Sequence, residues 1–310
     1  MINDLLTVGG SVVTLLLMMA VGFLLARKKL LSPAALTQLS TILMCVVNPT
    51  LIINTFLDET CDGPTMRSLL MAAVVLIGIY VLQGLLMLLF FRRQPEEDRG
   101  VSRFASIYGN VGFMGVPLIQ SVLGSAGMLT TVVSLGVFNI AIWTHGQKLI
   151  AGKGKTSLKK VFLNPGVIGL VIALILFVSG LKLPGPVRSA VGYISGLNTP
   201  LAMIVIGAQM AAVNLPELLR DTRLFGVTAV KLLLIPTVTM VVLLPFGLDP
   251  MIYTAVVILS GCPAAGASSL MCQMAGRDAA YAARLVTFTT IFSIVTLPVV
   301  SAVAKLLAGI

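Results

Sequence analysis

Charge is what this chain has least of. Only 10% of its 310 residues are Asp, Glu, Lys or Arg, against 57% hydrophobic, and the mean hydropathy is +1.04. Soluble domains carry about 25% charged residues, so a soluble fold is excluded and the chain reads as a polytopic membrane protein. Acids are the scarcer sign, and all 11 fall in loops or near the ends of apolar runs. A proton-coupled pump usually keeps an ionisable relay at mid-membrane, and here no carboxylate is expected there. There is one histidine, His145, at the end of a run. A membrane-embedded hydrolase needs a nucleophile beside a base, so no catalytic dyad can be placed. The four cysteines (Cys45, Cys61, Cys262, Cys272) contain no CxxC pair, which argues against a disulfide framework or a metal site.

What the chain does have is long apolar runs. A bilayer-spanning helix needs about 20 residues, and ten such runs are read at 5–26, 36–56, 68–91, 100–122, 127–149, 163–180, 190–212, 224–246, 251–273 and 285–308. The first follows MIND, with no basic region, and is longer than the apolar core of a signal peptide. It is therefore kept as a span, with the mature chain expected to start near Met1. The net charge of +10 invites a nucleic-acid partner, but the basic residues have another explanation. Of the 21 Lys and Arg, 16 lie in the connections after the odd-numbered runs, such as Arg27, Lys28 and Lys29. By the positive-inside rule those connections are cytoplasmic, both termini lie outside the cytoplasm of an inner (plasma) membrane protein, and no nucleic acid is implied.

The polar stretch AGKGKTSLKK at 151–160 separates five runs from five. Because five is odd, two similar halves must insert in opposite directions, the plan of many secondary transporters. The expected division is 1–150, a cytoplasmic linker at 151–162, and 163–310. Internal similarity supports it: Asn48 and Pro49 in VVNPTLI match Asn198, Thr199 and Pro200 in GLNTPLAM about 150 positions later. The fourth run contains YGNVGFMGVPLIQ and the ninth ILSGCPAAGASSLM, at nearly the same offset.

Those two runs should be broken near mid-membrane. Proline removes a backbone N–H, and glycine eases departure from helical geometry. Freed backbone groups are tolerated at that depth only where protein or a water-lined cavity satisfies them. Each break exposes a half-helix N-terminus, whose N–H groups and positive dipole end favour an anion. The residues placed at the site are Asn110, Gly112, Gly115, Pro117, Pro263, Gly266, Ser268 and Ser269, with Asn48, Asn198 and Thr199 from the second and seventh runs; Gln120 is a further candidate. All the side chains are uncharged, which suits a small polar anion better than a metal ion or a lipid.

The string NVGFMGVPL at 110–118 resembles the fourth-helix motif of the auxin efflux carrier family, which spans plant PIN-formed auxin exporters and bacterial malonate- or malate-type carriers. PLAMIVIGAQM, Lys231 with Pro236, and GRDAAYAARLVTFTTIFSIVTLPVV also resemble that family. The resemblance implies an all-α bile-acid-symporter-like, NhaA-like fold of two inverted five-helix repeats, in which the fourth and ninth helices cross at their broken centres. It implies an elevator-type movement of a crossover domain (helices 3–5 and 8–10) against a scaffold domain (1, 2, 6 and 7). By position Asn110, Pro117 and Pro263 inherit the crossover role. This chain lacks the long central loop of the plant exporters, and its CPAAGASS string is smaller and more polar than theirs, which favours a compact carboxylate over an indole-sized one.

Plainer readings stand beside these. The fourth run could be a packing kink, and the two Asn-Pro elements could only satisfy kinked backbone. His145 reads as an interfacial residue. Lys231, about two turns inside its run, reads as structural and within snorkelling reach of the interface, with a role as a substrate partner as the alternative. Gln209 faces either a cavity or a neighbouring helix. Coupling could use Gln209, His145 or Asp278, or a Na+ held on the broken backbone, or be absent. The function expected is alternating-access transport of a mono- or dicarboxylate by a homodimer, without a cofactor or metal. The alternatives are a sodium-coupled bile-acid-type symporter and a non-transporting receptor.

Overall fold

The computed structural model describes residues 2–57, 59–152, 163–211 and 215–310, so the greater part of the linker, with its four lysines from Lys153 to Lys160, lies outside the described residues. The described chain is helical. The first helices are α1 (Ile2–Arg27), α2 (Pro33–Leu57), α3 (Gly63–Met87), α4 (Glu96–Ile107), α5 (Val116–Leu123) and α6 (Met128–Ala141, continuing to Ala151). The second half holds α7 (Pro165–Ser179), α8 (Gly185–Ala211), α9 (Thr222–Phe246), α10 (Pro250–Ser260), α11 (Ala267–Met274) and α12 (Ala280–Ala308). Six stretches are long and apolar enough to cross a bilayer: α2, α3, Val111–Ala151, α8, α9 and α12. Shorter apolar helices are Val13–Arg27, α7 and α10. Their outward faces carry exposed Leu17, Val74, Ile175 and Val295. Such faces are stable only against lipid, because water would leave that apolar area uncompensated.

Proline explains three of the irregular turns; a fourth, at Ile142–Gly146, has no proline after it. Pro49, Pro117 and Pro236 each stand two residues after a wide five-residue π turn, at Leu43–Val47, Val111–Gly115 and Val230–Leu234. A proline has no N–H to close the preceding turn, and widening that turn lets the helix continue around it. This corrects the expected role of Pro117. It does not break its helix: the half-helix starts at Val111, capped by Asn110, and runs on through Pro117 by way of the widened turn.

Two glycine contacts set the packing of the halves. Gly22 of α1 lies against the Ile204 carbonyl of α8, and Gly207 of α8 lies against the Met19 carbonyl of α1, each so closely that a Cβ would overlap. Small residues let membrane helices approach backbone to backbone, where dispersion replaces the missing hydrophobic drive. In the same way Gly169 of α7 lies against Pro49 of α2. α1 thus pairs with α8 and α2 with α7, an exchange that maps onto itself when the halves are swapped.

Candidate functional site

The two breaks meet each other. α4 ends at Ile107, and the chain runs extended through Tyr108 to Asn110; α10 ends at Ser260, and α11 begins at Ala267. Between them Asn110 N–H donates to the Pro263 carbonyl at 2.7 Å and Ala265 N–H donates to the Tyr108 carbonyl at 2.9 Å. These bonds form an isolated antiparallel bridge between Gly109 and Ala264. Backbone groups that leaving the helix would have orphaned therefore satisfy each other at low dielectric, where an unpaired one costs several kcal/mol. Thr289 Oγ1 from α12 takes a further one, accepting from Ala264 N–H at 3.0 Å. Glycine makes the approach possible, since a Cβ on Gly109 would lie 3.2 Å from the Leu259 and Cys262 carbonyl oxygens and one on Gly115 would lie 2.6 Å from Leu259 Cδ2.

On one side of this junction lies a cavity of about 260 Å³. Asn110, Gly112 and Phe113 line it from the start of the α5 half, and Ala265, Gly266 and Ala267 from the start of the α11 half. Both half-helix N-termini, each equivalent to about +0.5 charge, thus border one space. Asn48, Asn139, Asn164 and Gln209 add amides, while Phe138, Ile142, Trp143 and Leu270 supply an apolar wall.

Three asparagines in this lining have their side-chain oxygen engaged. Asn110 Oδ1 accepts from Phe113 N–H at 3.3 Å, Asn164 Oδ1 from Gly166 N–H at 2.8 Å, and Asn48 Oδ1 from Asn198 Nδ2 at 2.6 Å. An amide has two donors on nitrogen and an acceptor oxygen. With the oxygen spent, what Asn48, Asn110 and Asn164 offer is N–H. Trp143 Nε1 is a further buried donor without a partner among the described residues. The chemistry is that of a donor-rich, uncharged receptor with an apolar wall.

Of the residues expected at the site, Asn48, Asn110, Gly112, Gly266 and Gln209 line the cavity. Asn198 is buried behind Asn48, with Thr199 beside it outside the lining. Gly115 and Pro263 belong to the junction itself, and Pro117 is buried in the first turn of α5. Ser268 is fully buried and donates to the Ala265 carbonyl at 3.0 Å; Ser269 and Gln120 also lie outside the lining. His145 Nδ1 is 2.8 Å from the Tyr108 hydroxyl, and exposed Asp278 accepts from Ala280 N–H at the head of α12. Sequence reasoning missed Asn139, Asn164 and Trp143. The Asn164-Pro165 pair is a readable helix-start signal, but nothing in it marks a cavity.

Lys231 departs from expectation. It does not snorkel: it is 0% exposed, and its Nζ donates to the Ser260 carbonyl at 3.1 Å and the Ile107 carbonyl at 3.4 Å. Residue count gives depth along a helix but not the direction it faces, and α9 turns this side chain toward the junction instead of the interface.

A family model described as "Membrane transport protein" matches residues 7–160 and again 153–301. A relative from Methanothermobacter thermautotrophicus, named "Uncharacterized transporter", is 22% identical over 299 residues, covering 94% of this chain and 97% of its own. A protein of Rhizobium meliloti named "Putative malonate transporter" is 23% identical over 220 residues, covering 67% and 68%. An uncharacterized transporter of Methanocaldococcus jannaschii is 24% identical over 228 residues, covering 70% and 72%.

Proposed function

Because the chain belongs to the membrane transport protein family, the auxin efflux carrier family of multi-pass transporters, not enzymes, we propose that it is a secondary carrier for a small organic anion. The solute is a mono- or dicarboxylate bound in the cavity beside the junction. One observation carries the reading: two half-helix N-termini and three asparagines whose oxygens are engaged border a single space. N–H donors in a site shielded from water bind a carboxylate with charge-assisted hydrogen bonds, and no buried Lys or Arg is needed in the lining. The apolar wall of Phe138, Ile142 and Trp143 suits the carbon body of such an anion. Malonate, the solute in the name of the Rhizobium relative, is the first dicarboxylate to try.

In this reading the chain makes ten spans as two inverted repeats, with both termini outside the cytoplasm. The junction-bearing helices move as one domain against a scaffold built on α1, α2, α7 and α8, and the carrier works as a homodimer in the inner membrane. The test is uptake into proteoliposomes of labelled monocarboxylates, malonate and malate, with and without sodium and pH gradients. Saturable uptake of a carboxylate is the expected result. Failure of every carboxylate, with carriage of a cation or a neutral solute, would end the anion reading.

A further inference from the structure

Lys231 is the only fully buried charged side chain among the described residues, and nothing in the anion cavity accounts for it. It is absent from the cavity lining and binds the junction from another side. Its two acceptors are particular ones: Ile107 is the last residue of α4 and Ser260 the last of α10. Their carbonyls belong to the C-terminal ends of the two half-helices, which carry about −0.5 charge each. One ammonium therefore faces about one unit of negative dipole charge, built up where two helices stop inside the protein.

We infer that Lys231 is a resident cation that takes the place of a coupling cation at the junction, so that the anion moves without co-transported sodium. The inference rests on the anion-carrier reading and adds the ion economy of the same site. The junction has two electrically opposite sides. The N-terminal ends facing the cavity present about +0.5 each and are matched by one carboxylate. The C-terminal ends need a positive partner, and a tethered ammonium supplies it permanently. Gln83, Ser134, Ile107 and Ser260 line a neighbouring void of about 10 Å³, room for about one water-sized group.

The experiment is anion counterflow in proteoliposomes for wild type, Lys231→Arg, Lys231→Met and Lys231→Ala, in sodium and in choline media. Wild-type counterflow should be the same in both media, and Lys231→Arg should retain it. Lys231→Met should fall by about tenfold or more, since an uncompensated buried dipole pair remains. Propylammonium replaces the atoms that Lys231→Ala removes, and it should restore part of that variant's counterflow where propanol does not. Counterflow that needs sodium in the wild type, or a wild-type rate for Lys231→Met in choline, overturns the inference. So does a loss that neither arginine nor propylammonium repairs. If the wild type carries no carboxylate at all, the anion reading fails by itself, and thermal unfolding in detergent decides this inference separately. Propylammonium should then raise the midpoint of Lys231→Ala and leave the wild type unmoved; no shift would overturn it.

Discussion

Asn198 Nδ2 donates to Asn48 Oδ1 at 2.6 Å, a hydrogen bond between residues 150 positions apart that occupy the same place in the two halves of the chain. The bond fixes which end of Asn48 is left for the cavity. Gly112 lies opposite, and a Cβ there would come within 2.9 Å of Asn48 Nδ2. Removing Asn48 leaves the buried Asn198 amide without this partner, and removing Asn198 leaves the half-buried Asn48 without it, at a cost of up to about 1–3 kcal/mol. Asn48→Ala and Asn198→Ala should each lower stability by that amount. The double variant should lose less than the two together by more than about 0.5 kcal/mol, the mark of residues in contact. Denaturant or thermal unfolding in detergent measures the cycle, and strict additivity would show that the bond contributes nothing.

Asn110 allows the cap to be separated from the binding group. Its Oδ1 caps the turn that opens the α5 half, which leaves Nδ2 as the group this cavity-lining residue can offer a ligand. Asn110→Ala loses both, with a cap cost of about 0.5–2 kcal/mol, and should abolish uptake while the protein still reaches the membrane. Asn110→Asp keeps an oxygen to cap but puts a negative charge where an anion is to sit. It should unfold like the wild type and carry no carboxylate. Wild-type uptake by Asn110→Asp would remove Asn110 from the site.

How far the sequence was legible follows from which forces leave a linear trace. Both breaks were readable, because glycine and proline change the backbone wherever they fall, and the Asn48 and Asn198 pair was readable from its offset. The exact break point was not. It lies at Tyr108 to Asn110, on the first of the three glycines and well ahead of Pro117, because pairing with Pro263 and Ala265 across the junction sets it. Ser268 looked like a site residue, yet its hydroxyl turns back onto Ala265, an internal bond that spacing cannot reveal. Asn139, Asn164 and Trp143 were missed, and Lys231 misread, for one shared reason. Apolar runs buried on one face and lipid-facing on the other lose the polar periodicity that tells inward from outward.

The glycine contacts between α1 and α8 should be costly to fill. Gly22→Ala and Gly207→Ala place a methyl group against a backbone carbonyl that cannot rotate aside. Each should destabilise by about 1–3 kcal/mol, the range for overpacking. Gly78→Ala in α3 is the control, since a Cβ there meets nothing within 4 Å. It should be neutral or stabilising by up to about 1 kcal/mol through the helix preference of alanine. Thermal midpoints in one detergent compare all three, and equal effects at Gly78 and Gly207 would contradict the close approach.

Outside the spans, one ionic cluster ties three helices of the proposed moving domain. Arg223 at the start of α9 bonds Asp98 of α4 at 2.7 Å and Asp221 at 2.9 Å, and Arg284 of α12 reaches Asp221 at 3.6 Å. The hydrogen bonds from Arg223 hold the Asp221 carboxyl below the usual carboxylate range. A depressed native value means that the stabilisation is complete above the unfolded carboxylate value of about 3.9 and is lost as pH falls through the native one. Acidification from neutrality should therefore leave the thermal midpoint level until about pH 4 and lower it beyond that point. Asp221→Asn should begin with a lower midpoint at neutral pH and show less of the acid fall. High salt should shrink the difference between the two proteins, because the Debye length drops to about 3 Å at 1 M and these side chains are partly exposed. The contact of Arg223 with the Tyr281 ring, at 5.0 Å, does not depend on Asp221 ionisation. The variant should thus keep α9 and α12 associated, and a midpoint equal to wild type at neutral pH would mean that the carboxylate adds nothing to that association.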